Sequence, residues 1–140
     1  MTTNADCEVL AFIRVASRLR IKNTQQLLKE DVPPAFAYVL ANELRTNRQI
    51  ASRCGVYLNR LCQQPYLTHN NAQKNRLDVT LPKPTVRTAA ELLIVSATAE
   101  VIGITRRLTA GNGCSERVMM FSEKVVESEN DFIERLRSFL

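Results

Sequence analysis

The sequence predicts an all-α fold, a compact bundle of five or six helices with a basic polar loop near the middle. Apolar residues recur at helical spacing along most of the chain. Only 4 glycines and 5 prolines occur in 140 residues, which leaves little material for a turn-rich β fold. The breaks between apolar runs carry prolines or the short polar residues that cap helices. With 45% apolar and 24% charged residues the composition is that of a folded globular chain. Its length suits one core, so residues 1–140 read as a single domain. Within it, 1–64 is an N-terminal helical part, 65–84 a basic loop or arm, and 85–140 a C-terminal helical part.

Asn4 or Asp6 can cap a first helix to about Ile21, with Cys7, Leu10, Ala11, Val15 and Leu19 along one face. Arg14, Arg18 and Lys22 follow four residues apart on another face, as a solvated stripe that could also touch phosphates. Asn23 and Gln26 open a short second helix carrying Leu27 and Leu28. It ends before Pro33-Pro34, because the residue preceding a proline is pushed out of the α region. Pro34 suits the first turn of a third helix with a stripe of Phe36, Val39, Leu40 and Leu44. Thr46-Asn47 marks a break, after which Ile50, Ala51, Cys54, Leu58 and Leu61 resume the helical period. Pro65 stops it after Gln64. Tyr66 to Arg76 (YLTHNNAQKNR) is a polar, basic loop, in which His69 reads as an exposed turn residue. Leu77, Val79 and Leu81 alternate as a short strand would.

Thr85, or the capping box Thr88-x-x-Glu91, starts the next helix. It runs to about Leu108, with Arg106 and Arg107 near its negative end and Gly111 beyond. Leu92, Leu93, Ile94 and Val95 are consecutive, so this helix needs cover on more than one side. Ala99-x-x-x-Gly103 would let another backbone approach. That fits a homodimer interface and equally the central helix of a monomeric bundle. Ser115 caps a helix with Val118, Phe121 and Val125, and Ser128-x-x-Asp131 opens a last one. Its stripe of Phe132, Ile133, Leu136, Phe139 and Leu140 must dock on something apolar. An α+β alternative makes residues 101–121 a hairpin around Gly111-Asn112-Gly113, since Asn-Gly is a strong turn signal.

Cys7, Cys54, Cys62 and Cys114 lack metal-finger spacing and His69 is the single histidine. Reduced, mostly buried thiols in a cytoplasmic or nuclear protein are expected, although a disulfide between two of them stays open. The first residues show no secretory-signal pattern, and Leu92 to Ile104, interrupted by Glu100, is too short to span a bilayer.

Net charge is +5, and its placement is uneven. From Arg45 to Arg87 there are eight basic residues and one acid, Asp78. The rest of the chain holds eleven basic and thirteen acidic residues. Such asymmetry points to a polyanion, usually nucleic acid, or to a solvated face that keeps the protein soluble. Inside that window, Asn47 to Gln64 (NRQIASRCGVYLNRLCQQ) resembles a helix-turn-helix. The resemblance implies a sharp turn at Gly55, a bracing helix before it and a recognition helix after it. Asn59, Arg60, Gln63 and Gln64 would then face base edges, while Arg45, Arg48 and Arg53 held phosphates. Lys74 and Arg76, on the basic arm, could follow a backbone or a minor groove. The same residues also fit one long bundled helix, in which Gly55 costs about 1 kcal/mol relative to alanine.

The principal expectation is therefore a small DNA-binding protein, such as a transcriptional or plasmid- or phage-type regulator, with duplex DNA as partner. The alternative is a non-catalytic helical adaptor or assembly subunit. Its docking surface would be Leu93, Ala99, Gly103, Phe132 and Leu136, with a homodimer as one form. The sequence carries no glycine-rich phosphate loop, histidine pair or nucleophile motif. No enzyme, cofactor or metal is expected.

Overall fold

The described residues form four long helices, where five or six are expected of the chain, because polar residues that could end a helix lie inside one instead. The computed structural model describes residues 4–62, 85–110 and 113–140. The helices are α1 (Asn4–Leu28), α2 (Pro34–Leu61), α3 (Val86–Ala110) and α4 (Glu116–Arg137). In α1 the Thr24 hydroxyl donates to the Arg20 carbonyl at 2.8 Å, and the helix runs through Asn23 without a break. In α2 the Asn47 amide donates to the Glu43 carbonyl at 2.9 Å, so the expected break at Thr46-Asn47 is absent. Ser128 likewise lies inside α4. Short polar side chains compete for the backbone only where they point at a helix end; inside a packed helix they bond to the preceding turn.

The expected starts fare better. Pro34 opens α2. Thr85 caps α3, its hydroxyl accepting the Thr88 N–H at 3.1 Å. Ser115 stands at the start of α4, but its N–H donates to the buried Asp6 carboxylate at 2.7 Å. Asp6 thus ties α4 to the first turn of α1. Residues 101–110 belong to α3 and 116–121 to α4, and no strand occurs among the described residues, so the hairpin alternative is not formed. The short strand over Leu77 to Leu81, His69 and the basic arm lie outside the described residues.

Helices α1 and α2 pack along their length as an antiparallel pair, and α3 and α4 form the second pair laid against it. Two apolar clusters fill the interior. One gathers Leu10, Ile13, Ile50, Cys54, Leu58, Ile104, Val118 and Phe121. The other gathers Phe36, Leu40, Ala90, Leu93, Ala97, Phe132 and Leu136. Of the terminal stripe, Phe132, Ile133 and Leu136 of α4 and Phe139 beyond it are spent on this chain's own core, with Phe139 edge-on to Phe36 at 4.9 Å between ring centres, whereas Leu140 is exposed.

A disulfide joins Cys7 and Cys62, whose Cα atoms lie 5.9 Å apart across the α1–α2 pair. The expectation of four reduced thiols is corrected to two, Cys54 and Cys114, both buried. Antiparallel pairing brings the start of α1 level with the end of α2, a proximity that a separation of 55 residues conceals.

Candidate functional site

The helix-turn-helix does not form. α2 is continuous from Pro34 to Leu61, and Gly55 lies in its interior without positive φ; the one glycine with positive φ among the described residues is Gly113. Val56, next to Gly55, is 45% exposed, and Leu58 is buried. The reason is packing. Ile50, Cys54 and Leu58 keep a single helical period across Gly55 and fill one core cluster, so a bend there would withdraw Leu58 from it. An unbroken helix has no separate recognition helix to seat in a groove.

What survives is a charged surface. Arg45, Arg48, Arg53, Asn59 and Arg60 are exposed on α2. The only acid on that helix, Glu43, is buried. Arg14 of α1 adds to this face, because its guanidinium lies 3.9 Å from the place a Cβ on Gly55 would occupy. Arg18, one turn further along α1, is exposed. On the opposite edge Arg53 reaches over the Phe121 ring of α4, 5.4 Å from its centre. There, with Tyr57, Glu116, Arg117, Met120 and Lys124, it lines a shallow depression between α2 and α4 in which three basic residues face one acid. Gln63, Gln64, Lys74 and Arg76 lie outside the described residues.

The expected docking residues separate. Leu93, Phe132 and Leu136 are core residues. Gly103 faces Phe12 of α1, whose ring fills the space a side chain would need, so the close approach it permits is within this chain. Ala99 alone of the five is exposed. Around it α3 leaves Leu92, Val95 and Ile102 at 50%, 66% and 46% exposure. By length and apolarity alone α3 could cross a membrane, and a third of its most apolar stretch is covered by the rest of the protein.

Between the two apolar clusters lies a charged layer. Arg20 of α1, 1% exposed, places Nη1 2.6 Å from Glu43 of α2 and 2.8 Å from Glu129 of α4. Its Nη2 is 3.6 Å from Glu100 of α3 and donates to the Ser96 hydroxyl at 3.3 Å. The guanidinium also lies 5.0 Å from the centre of the Phe132 ring. One cation thus meets three carboxylates, and a buried site cannot hold two uncompensated charges. Protons resolve the imbalance. Burial, reinforced by the neighbouring Glu129, pushes the Glu43 carboxyl up to about 8 against the pull of Arg20. Burial and Glu129 raise Glu100 well above the usual carboxylate range. Burial opposes the charge on Arg20, but Glu129, Glu100 and Glu43 together hold its pKa above the ordinary value. Glu129 Oε1 is buried without a hydrogen-bond partner.

The guanidinium takes the place a cation would hold, and among the described residues no His, Cys, Asp and Glu group is arranged for a metal ion. The thiols are held protonated: burial pushes Cys54 up to about 12, and burial with Asp6 raises Cys114. Sequence reasoning missed the charged layer because it gave Glu43 and Glu129 no role and took Glu100 only as an interruption of an apolar run. The available signal was their position in phase with the buried stripes, each flanked three or four residues away by core residues such as Leu40, Ala97, Ile104 and Val125. No protein-family model, curated protein or solved structure matches this chain.

Proposed function

We propose that this protein is a small DNA-binding protein that holds duplex DNA by its phosphates, through the arginine face of the α1–α2 pair. The observation that supports this most is α2 itself, which presents Arg45, Arg48, Arg53 and Arg60 to solvent and buries its single carboxylate. Arg14 and Arg18 extend the face across α1, and Arg117 and Lys124 extend it towards α4. Arginines on a rigid helical pair suit a regular row of phosphates, because little conformational freedom is lost when they engage it. Without a helix to insert in the groove, such binding tracks the backbone and tolerates sequence. Titrating fluorescent duplexes of unrelated sequence at two salt concentrations tests the reading. It expects comparable affinities for all of them and a steep loss at the higher salt, because phosphate contacts release counterions. Absence of binding at low salt would refute it.

A second reading, a non-catalytic assembly subunit, draws on one specific feature. The outer face of α3 keeps large apolar side chains in water although the bundle core is complete without them.

A further inference from the structure

We infer that the exposed face of α3 is a self-association seam, on which a second copy of this chain lays its own α3 antiparallel; the inference rests on the assembly reading above and not on DNA binding. Leu92, Val95, Ala99 and Ile102 are spaced three, four and three residues apart, all on the solvent side of the helix. That is the spacing of a two-helix seam, and it runs about 15 Å along the axis. The face fits itself in one direction. With the helices antiparallel about a two-fold axis between Val95 and Ala99, Leu92 lies against Ile102 of the other copy and Val95 against the small Ala99. Large then meets small in the middle and two large residues meet at each end. A parallel pairing would set Ala99 on Ala99, leaving a gap, and Arg106 on Arg106.

Charge makes the same choice. Arg106, four residues beyond Ile102 on the same face, is exposed. In the antiparallel arrangement it reaches the level of Thr88 of the other copy, beside Glu91. Glu91 is itself exposed and paired with Arg87 at 3.2 Å in its own helix. Each seam end then sets Arg106 of one copy beside the Arg87–Glu91 pair of the other, where Glu91 stands between two arginines, and the pattern repeats by symmetry at the opposite end. The helix dipoles oppose as well. Four apolar positions bury less than the roughly 800 Å² per partner of a stable complex, so the association is concentration-dependent rather than obligate.

Sedimentation velocity on the full chain over a concentration series tests this. Wild type is expected to shift from monomer to dimer, and Val95→Asp, which strikes the seam once from each copy, to weaken association by roughly 100-fold. Its helical circular dichroism should not change, because Val95 is on the surface. Glu91→Arg and Arg106→Glu should each weaken the dimer, and the double reversal should restore it. Wild type that stays monomeric at every concentration overturns the inference. A dimer indifferent to Val95→Asp overturns it and the α3 assembly reading together. A dimer lost in Val95→Asp, with Glu91→Arg and Arg106→Glu not restored by their double reversal, keeps an α3 interface and overturns the antiparallel pairing.

Discussion

Arg20 and the arginines of α2 are the same residue put to opposite uses. Arg20 is 1% exposed, among three carboxylates from three other helices. Arg45, Arg48 and Arg60 stand in water on a helix that shows no acid at its surface. Inside, the charge is consumed in holding four helices at one level; outside, it is left over, and leftover charge is what a polyanion can use. A net charge of +5 cannot distinguish these uses. The side of the helix on which each arginine falls does.

The contrast is sharpest in stability. Arg20→Met strands three buried carboxylates and is expected to cost about 3–5 kcal/mol, enough to unfold a marginal domain. Arg45→Ala, Arg48→Ala and Arg60→Ala should each stay within about 0.5 kcal/mol of wild type. Urea denaturation of the four variants measures both halves of that statement.

The interior also carries a pH dependence. A carboxyl whose folded pKa is raised keeps a proton that the unfolded chain has released. Its contribution to stability therefore falls as pH rises from the ordinary value, about 4.5, to the folded value of about 8, and is flat above. The slope is about 1.4 kcal/mol per pH unit for one such proton. Glu43→Gln keeps an oxygen for Arg20 and offers an N–H to Glu129, with no proton to lose. It should remove about one proton's worth of slope across that window and exceed wild type in stability at pH 8, as measured by thermal or urea unfolding at several pH values. A variant as steeply pH-dependent as wild type would mean that Glu43 is not the group that holds the proton.

Outside, the expected effect is on binding. The triple variant Arg45→Ala/Arg48→Ala/Arg60→Ala should bind every duplex more weakly. It should also lower the slope of log affinity against log salt by roughly 2 to 3, about 0.9 for each phosphate that is no longer neutralised. Selective weakening for one sequence would show base reading instead.

Much of this architecture was legible in the sequence, and the misses share one cause. The helical class, the Pro34 and Thr85 starts and the α4 stripe follow from periodicity and capping, which are local. Asn23, Thr46-Asn47 and Ser128 look like breaks because their side chains can cap; packing decides otherwise, holding long helices together against weak local preferences. The charged layer, the Cys7–Cys62 bond and the Phe12–Gly103 contact join residues distant in sequence, and no local pattern announces them. Of the residues expected to face DNA, Arg45, Arg48, Arg53, Asn59 and Arg60 are exposed, whereas the turn meant to present them is absent.

That absent turn gives the most direct check on the claim that α2 is one rod with a packed inner face and an arginine outer face. A Cβ on Gly55 would meet nothing nearer than the Arg14 guanidinium at 3.9 Å, an ordinary van der Waals distance. In a continuous helix Gly55→Ala should therefore raise stability by about 1 kcal/mol, or roughly 4 °C in Tm. A fall in Tm of that size would place Gly55 in a left-handed turn and contradict the account.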